Sequence, residues 1–125
     1  MRTVIAVGVA GFIGASARYG LEGLIAQKSA GAFPWSTFVV NVSGSFVLGV
    51  LFAVLVEGRA AVAPWFRTAL TVGLVGAYTT FSTLTLETFR LVEDGSYLLA
   101  GVNAVGSLLI GLFAVYSGVA VGRMV

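Results

Sequence analysis

Four long apolar stretches run the length of the chain, separated by short clusters of charge, proline and small polar residues. They lie at about 3–26, 35–57, 67–91 and 96–122, each near the roughly 20 residues that a helix needs to cross a bilayer core of about 30 Å. The connectors are brief. Lys28 to Pro34 is polar and small, Glu57 to Trp65 carries Arg59 and Pro64, and Glu93-Asp94-Gly95 is an acidic turn suited to ending one helix and starting the next. Trp35, Trp65 and Tyr97 stand at the beginnings of spans, where a membrane-interface aromatic belt would place them. The pattern predicts an all-α membrane protein, a single four-span domain over residues 1–125.

Composition agrees with that pattern. The chain is 58% hydrophobic and 10% charged, with a mean hydropathy of +1.03, whereas soluble domains carry about 25% charged residues. Seventeen glycines suit helices that approach closely in lipid. With no His and no Cys, the usual ligands of zinc, copper, haem and iron–sulfur centres are missing, and so are imidazole bases and thiol nucleophiles. No enzyme activity and no catalytic residue is expected. A net charge of +2 is too small and scattered for a nucleic-acid surface.

Two motifs in the first span invite other readings. Arg2, the apolar run and Ala15-Ser16-Ala17 have the outline of a signal peptide, and the expectation is that the segment is retained as a span. Val4-Ile5-Ala6-Val7 before Gly8, Gly11 and Gly14 imitates a strand entering a dinucleotide-binding turn, but such a turn needs an acidic residue about 20 positions on. Phe33-Pro34-Trp35 occupies that region. Ala10 with Gly14, and Gly118 with Gly122, are better read as small-residue contact ridges.

Four spans place both termini on one side. Arg2, Arg59, Arg67 and Arg123 then face Arg18, Lys28 and Arg90 across the membrane. Orientation follows the Lys/Arg bias of short loops, so a near-tie predicts insertion both ways and permits a dimer of oppositely oriented copies.

Polar residues inside the spans carry the candidate chemistry. Arg18 and Glu22, four apart, share a helix face and suit either mutual pairing or an anion-attracting vestibule. Thr37, Asn41 and Ser45 form a neutral stripe that fits an interhelical seam or a pore lining equally well. The third span holds Gly73, Gly76, Tyr78, Thr79, Thr80, Ser82, Thr83, Thr85, Glu87 and Thr88. Adjacent β-branched threonines are weak helix formers, so a break is expected around residues 76–80, near the middle of the span. Phe81 follows it, and a phenyl ring has a positive edge that favours an anion.

These motifs resemble one family, the small bacterial fluoride channels called Fluc or CrcB. Gly11-Phe-Ile-Gly-Ala-Ser-Ala-Arg-Tyr19 looks like its first-helix signature, Asn41-Val-Ser-Gly-Ser-Phe46 like its second and Gly76-Ala-Tyr-Thr-Thr-Phe-Ser-Thr83 like its third, while Asn103 to Ser107 and Gly111 resemble the polar face of its fourth helix. The resemblance implies a fluoride-selective channel in the bacterial inner membrane, an antiparallel dual-topology dimer with two fluoride pathways and a structural sodium ion at the interface. By that similarity Asn41, Phe81 and Ser82 meet fluoride, and Gly76 and Thr79 give carbonyls to sodium. Thr37, Ser107 and Glu87 belong to the polar track and vestibule, with Arg18 near the pore mouth.

Two positions depart from the family. Leu84 stands where a second Phe is usual, and Asn103 where an aromatic hydroxyl often precedes the serine. A missing ring leaves room for a paralogous partner subunit as the alternative to a homodimer. Two other functions remain as competitors. A proton-coupled small multidrug-type transporter needs an acid near mid-membrane, while Glu22 and Glu87 both lie late in their spans. A non-transporting scaffold would use the polar stripes only for packing.

Overall fold

The computed structural model describes residues 1–58 and 61–125, so Arg59, and with it one member of the charge count, lies outside the described residues. Four helical spans make up the fold. They are α1 (Arg2–Lys28), α2 (Trp35–Glu57), a third span (Pro64–Glu93) divided into α3 (64–78) and α4 (Phe81–Glu93), and α5 (Tyr97–Gly122). All four are long and apolar enough to cross a bilayer.

Local chemistry explains the ends. Pro64 opens the third span at its first position, where a missing N–H costs nothing and the ring presets φ. Gly95, with φ +74°, closes α4 because a left-handed residue there lets the Ser96 N–H reach the Leu91 carbonyl at 2.8 Å and the Gly95 N–H reach Val92 at 3.0 Å. The acidic turn therefore does reverse the chain.

Small residues set the packing. α1 lies along α3, and a Cβ added at Gly14 would run into the Leu74 carbonyl, while Gly73 faces Ala10 and the Val7 backbone. α2 lies along α5 in the same manner: Gly49 abuts the Val115 carbonyl, Gly118 abuts the Phe46 carbonyl, and Gly122 meets Ala53 and Val50. Both ridges read from the sequence are helix contacts. Backbones this close leave no room for a methyl, which is how helices gain dispersion contacts where hydrophobic driving force is absent. Three stretches, Ala53–Glu57, Ala69–Val75 and Val102–Gly106, adopt the wider π-type turn.

Arg2 stacks over the Trp65 ring at 4.1 Å, and Arg123 pairs with Glu57 through two bonds of 2.8 and 2.9 Å. The starts of α1 and α3 and the ends of α2 and α5 thus share one end of the bundle. Large apolar side chains such as Phe12, Leu108, Leu112 and Phe113 are exposed, as lipid or a second subunit requires.

Candidate functional site

The third span is interrupted at two residues. Thr79 (φ −82°, ψ 159°) and Thr80 (φ −147°, ψ 116°) are extended, so the helix stops after Tyr78 and restarts at Phe81. Thr80 caps the new helix, its Oγ1 accepting from the Thr83 N–H at 3.3 Å and donating to Thr83 Oγ1 at 2.9 Å. The break expected at residues 76–80 is therefore present, narrowed to 79–80, and Gly76 itself is helical.

Neighbouring helices hold the break in place. Asn41 grips it from α2: its Nδ2 donates to the Thr80 carbonyl at 2.9 Å and its Oδ1 accepts from the Thr80 N–H at 2.8 Å. One amide side chain replaces the backbone partners that the interruption removes. Gly44, one turn below, is small because the Thr79 methyl and the Tyr78 ring press against it. Ser43 Oγ donates to the Val39 carbonyl at 2.7 Å, which leaves the Tyr78 hydroxyl to donate to Ser43 at 2.9 Å. From α1, Arg18 Nε donates to the Ala77 carbonyl at 3.3 Å while its guanidinium lies 3.5 Å from Glu22. Both readings of Arg18 are thereby refined: it pairs with Glu22, and it also ties α1 to the break.

Some backbone groups are left over. Among the described residues, no backbone N–H donates to the carbonyls of Gly76, Tyr78 and Thr79, and the N–H groups of Phe81 and Ser82 reach no protein acceptor. At membrane depth such groups need a polar partner. Carbonyls on one side of the break suit a cation and amides on the other suit an anion.

A cleft of about 600 Å³ opens beside the break between α2, α4 and α5. Its wall includes Asn41, Thr79, Phe81, Leu84 and Ser107, a mostly apolar surface with a few neutral donors. The Phe81 side chain is 78% exposed and stands at this cleft, packed against little of its own subunit. Ser107 is 7% exposed and its Oγ has no protein partner. Of the residues read from the sequence, Asn41, Phe81, Thr79 and Ser107 are brought together here. Ser82 lies outside the lining, its Oγ 3.5 Å from Thr80 Oγ1. Thr37 is 1% exposed and donates to Glu87 Oε1 at 2.8 Å, away from the cleft.

The neutral stripe on α2 is in part an interhelical seam and in part a cleft wall. Thr37 and Asn41 bond across to the third span, and Asn41 and Ser45 face the cleft. Sequence reasoning missed Ser43, Thr80 as a cap, and Thr88, which accepts from Asn103 Nδ2 at 3.0 Å. A Thr ahead of Phe-Ser-Thr had the form of a cap, but Asn103's link to Thr88 had no local signal. No group of His, Cys, Asp or Glu suited to a metal occurs among the described residues, so a cation would depend on the carbonyls.

A model of the family described as CrcB-like protein, Camphor Resistance (CrcB), matches residues 5–119. The chain belongs to the CrcB family. Its relatives share it end to end. A protein of Nitratidesulfovibrio vulgaris named fluoride-specific ion channel FluC is 42% identical over 125 residues, 100% of both chains. One of Paramagnetospirillum magneticum with the same name is 47% identical over 94% of this chain and 93% of its own. Another, fluoride-specific ion channel FluC 2 of Geobacillus kaustophilus, is 44% identical over 95% of this chain and 92% of its own. In this CrcB chain the segments Asn41–Phe46 and Gly76–Thr83 meet at the break and its cleft, and the Gly11–Tyr19 segment reaches the break through Arg18.

Proposed function

We propose that this chain is a fluoride-selective ion channel that lets fluoride leave the cell passively and so confers fluoride resistance. The observation that carries the reading is the cleft, where Asn41, Phe81 and Ser107 border the unpaired amides that begin α4. Fluoride is small and strongly hydrated, so a selective path must replace its water with donors while holding it weakly enough for release. Asn41 keeps a second amide hydrogen beyond the one given to Thr80. Phe81 offers a ring edge, Ser107 a hydroxyl, and Ser82 a hydroxyl at the head of α4. Thr37 and Glu87 serve as a polar strut in the wall, and Arg18 draws anions toward the break.

The unpaired carbonyls of Gly76 and Thr79 fit a monovalent cation, and sodium held there would supply fixed positive charge beside the anion path. The working unit is an antiparallel pair of copies in the bacterial inner membrane. The exposure of Phe81 and of the α5 face supports it, as does the scarcity of loop charge. Purified protein in liposomes tests the function: fluoride should leave promptly on release of the membrane potential and chloride should remain. Equal loss of both ions, or retention of fluoride, would overturn it.

A further inference from the structure

Among the described residues Asn103 is the one fully buried side-chain amide, at 0% exposure, and it sits where α5 widens over Val102–Gly106. Its orientation is determined by its neighbours. Thr88 Oγ1 donates its only hydrogen to the Leu84 carbonyl at 2.8 Å, so it can only accept from Asn103, and the Nδ2 end must face it at 3.0 Å. The Oδ1 end is then left buried with no donor. One turn along the same face, the Ser107 hydroxyl is also buried, also unpartnered, and borders the cleft. An acceptor without a donor and a donor without an acceptor therefore lie four positions apart on α5, not bonded to each other, and a buried acceptor left alone is costly.

We propose that Asn103 is a positioning residue for anion passage, acting through Ser107. Its Oδ1 is a competing acceptor for the Ser107 hydroxyl: a side-chain rotation at Ser107 brings the hydroxyl toward Asn103, and an anion in the cleft draws it back. Because Asn103 is sealed inside its own subunit, neither lipid nor a second copy can take that role. The competition weakens the hold of Ser107 on the ion, which favours release. The inference rests on the fluoride-channel reading.

Its test is the dependence of fluoride flux on fluoride concentration in liposomes. Asn103→Leu, which removes the competitor, should lower the half-saturating fluoride concentration and the maximal flux together, each by about three- to tenfold, the equivalent of one hydrogen bond. In a Ser107→Ala background the same substitution should change neither. Unchanged half-saturation in Asn103→Leu, or an undiminished effect without Ser107, would overturn the proposal. Thr88→Val gives a second route if Asn103→Leu folds poorly: freeing the amide to turn should shift half-saturation in Ser107 protein and not in Ser107→Ala protein, and equal shifts in both would also overturn it. Wild-type protein that passes no fluoride would instead sink the channel reading itself.

Discussion

Asn41 does two jobs that make different demands. Its amide bridges both backbone groups of Thr80, and the residue also borders the cleft proposed as the fluoride path. Asn41→Asp separates them, because a carboxylate still accepts from the Thr80 N–H but adds negative charge to the cleft. Fluoride efflux should fall by at least about tenfold, since a unit charge at close range outweighs a lost hydrogen bond. Asn41→Ala should lower stability by about 1–3 kcal/mol, from two partly buried bonds, read as a lower midpoint in thermal unfolding in detergent. Leu84 lines the same cleft without a ring edge. Leu84→Phe should raise the fluoride-to-chloride permeability ratio, measured from reversal potentials; a lower ratio would show that the leucine is the better fit. Asn41 and Ser107 stood out in the sequence as polar groups inside apolar spans, and the cleft brings them together. Their partners were not readable, since Asn41 and Thr80 are separated by half a span, a loop and half another.

At the scale of elements, close helix contacts and one cap carry the architecture. Gly14→Ala should destabilise by about 1–3 kcal/mol, because its Cβ would meet the Leu74 backbone rather than a movable side chain. Gly20→Ala, with nothing within 4 Å, should be neutral or slightly stabilising through helix propensity. Equal effects at the two sites would refute the contact argument. The span limits were legible from apolar length, and the ridges from small residues four apart. Only the fold says that the first ridge meets α3 and the last meets α2. The break was legible as a weakness at Thr79 and Thr80; its narrowness depends on Thr80 capping α4 and on Asn41 supplying both missing partners.

For the whole molecule, orientation in the membrane follows from the balance of loop charge. Arg18 donates to the Ala77 carbonyl beside the break and pairs with Glu22 on its own helix, so it is engaged within the bundle rather than free as a loop charge. By sequence, loop charge then favours the terminal side, with Arg2, Arg59, Arg67 and Arg123 counted there and Lys28 and Arg90 opposite. Met124→Lys with Val125→Lys, both at exposed positions, should push the population to a single orientation. Terminal tags would then label from one side of the cell only, and, if the proposed antiparallel pair is the working unit, fluoride efflux should collapse. Undiminished efflux from a singly oriented population would show that opposite copies are not needed.

What the sequence determined by itself was solvent and inventory. Long apolar runs and few charges make the bilayer the solvent that suits this chain's side chains, and the absence of His and Cys removes imidazole and thiolate chemistry from its inventory. Tertiary structure decided which of the remaining polar groups are free to meet an ion. Thr37 is used up on Glu87, and Asn41 is half used on Thr80. Ser107 remains unclaimed. Hydrogen-bonding capacity is a property of a residue, but its availability depends on what packs beside it, and in this bundle those neighbours come from other helices.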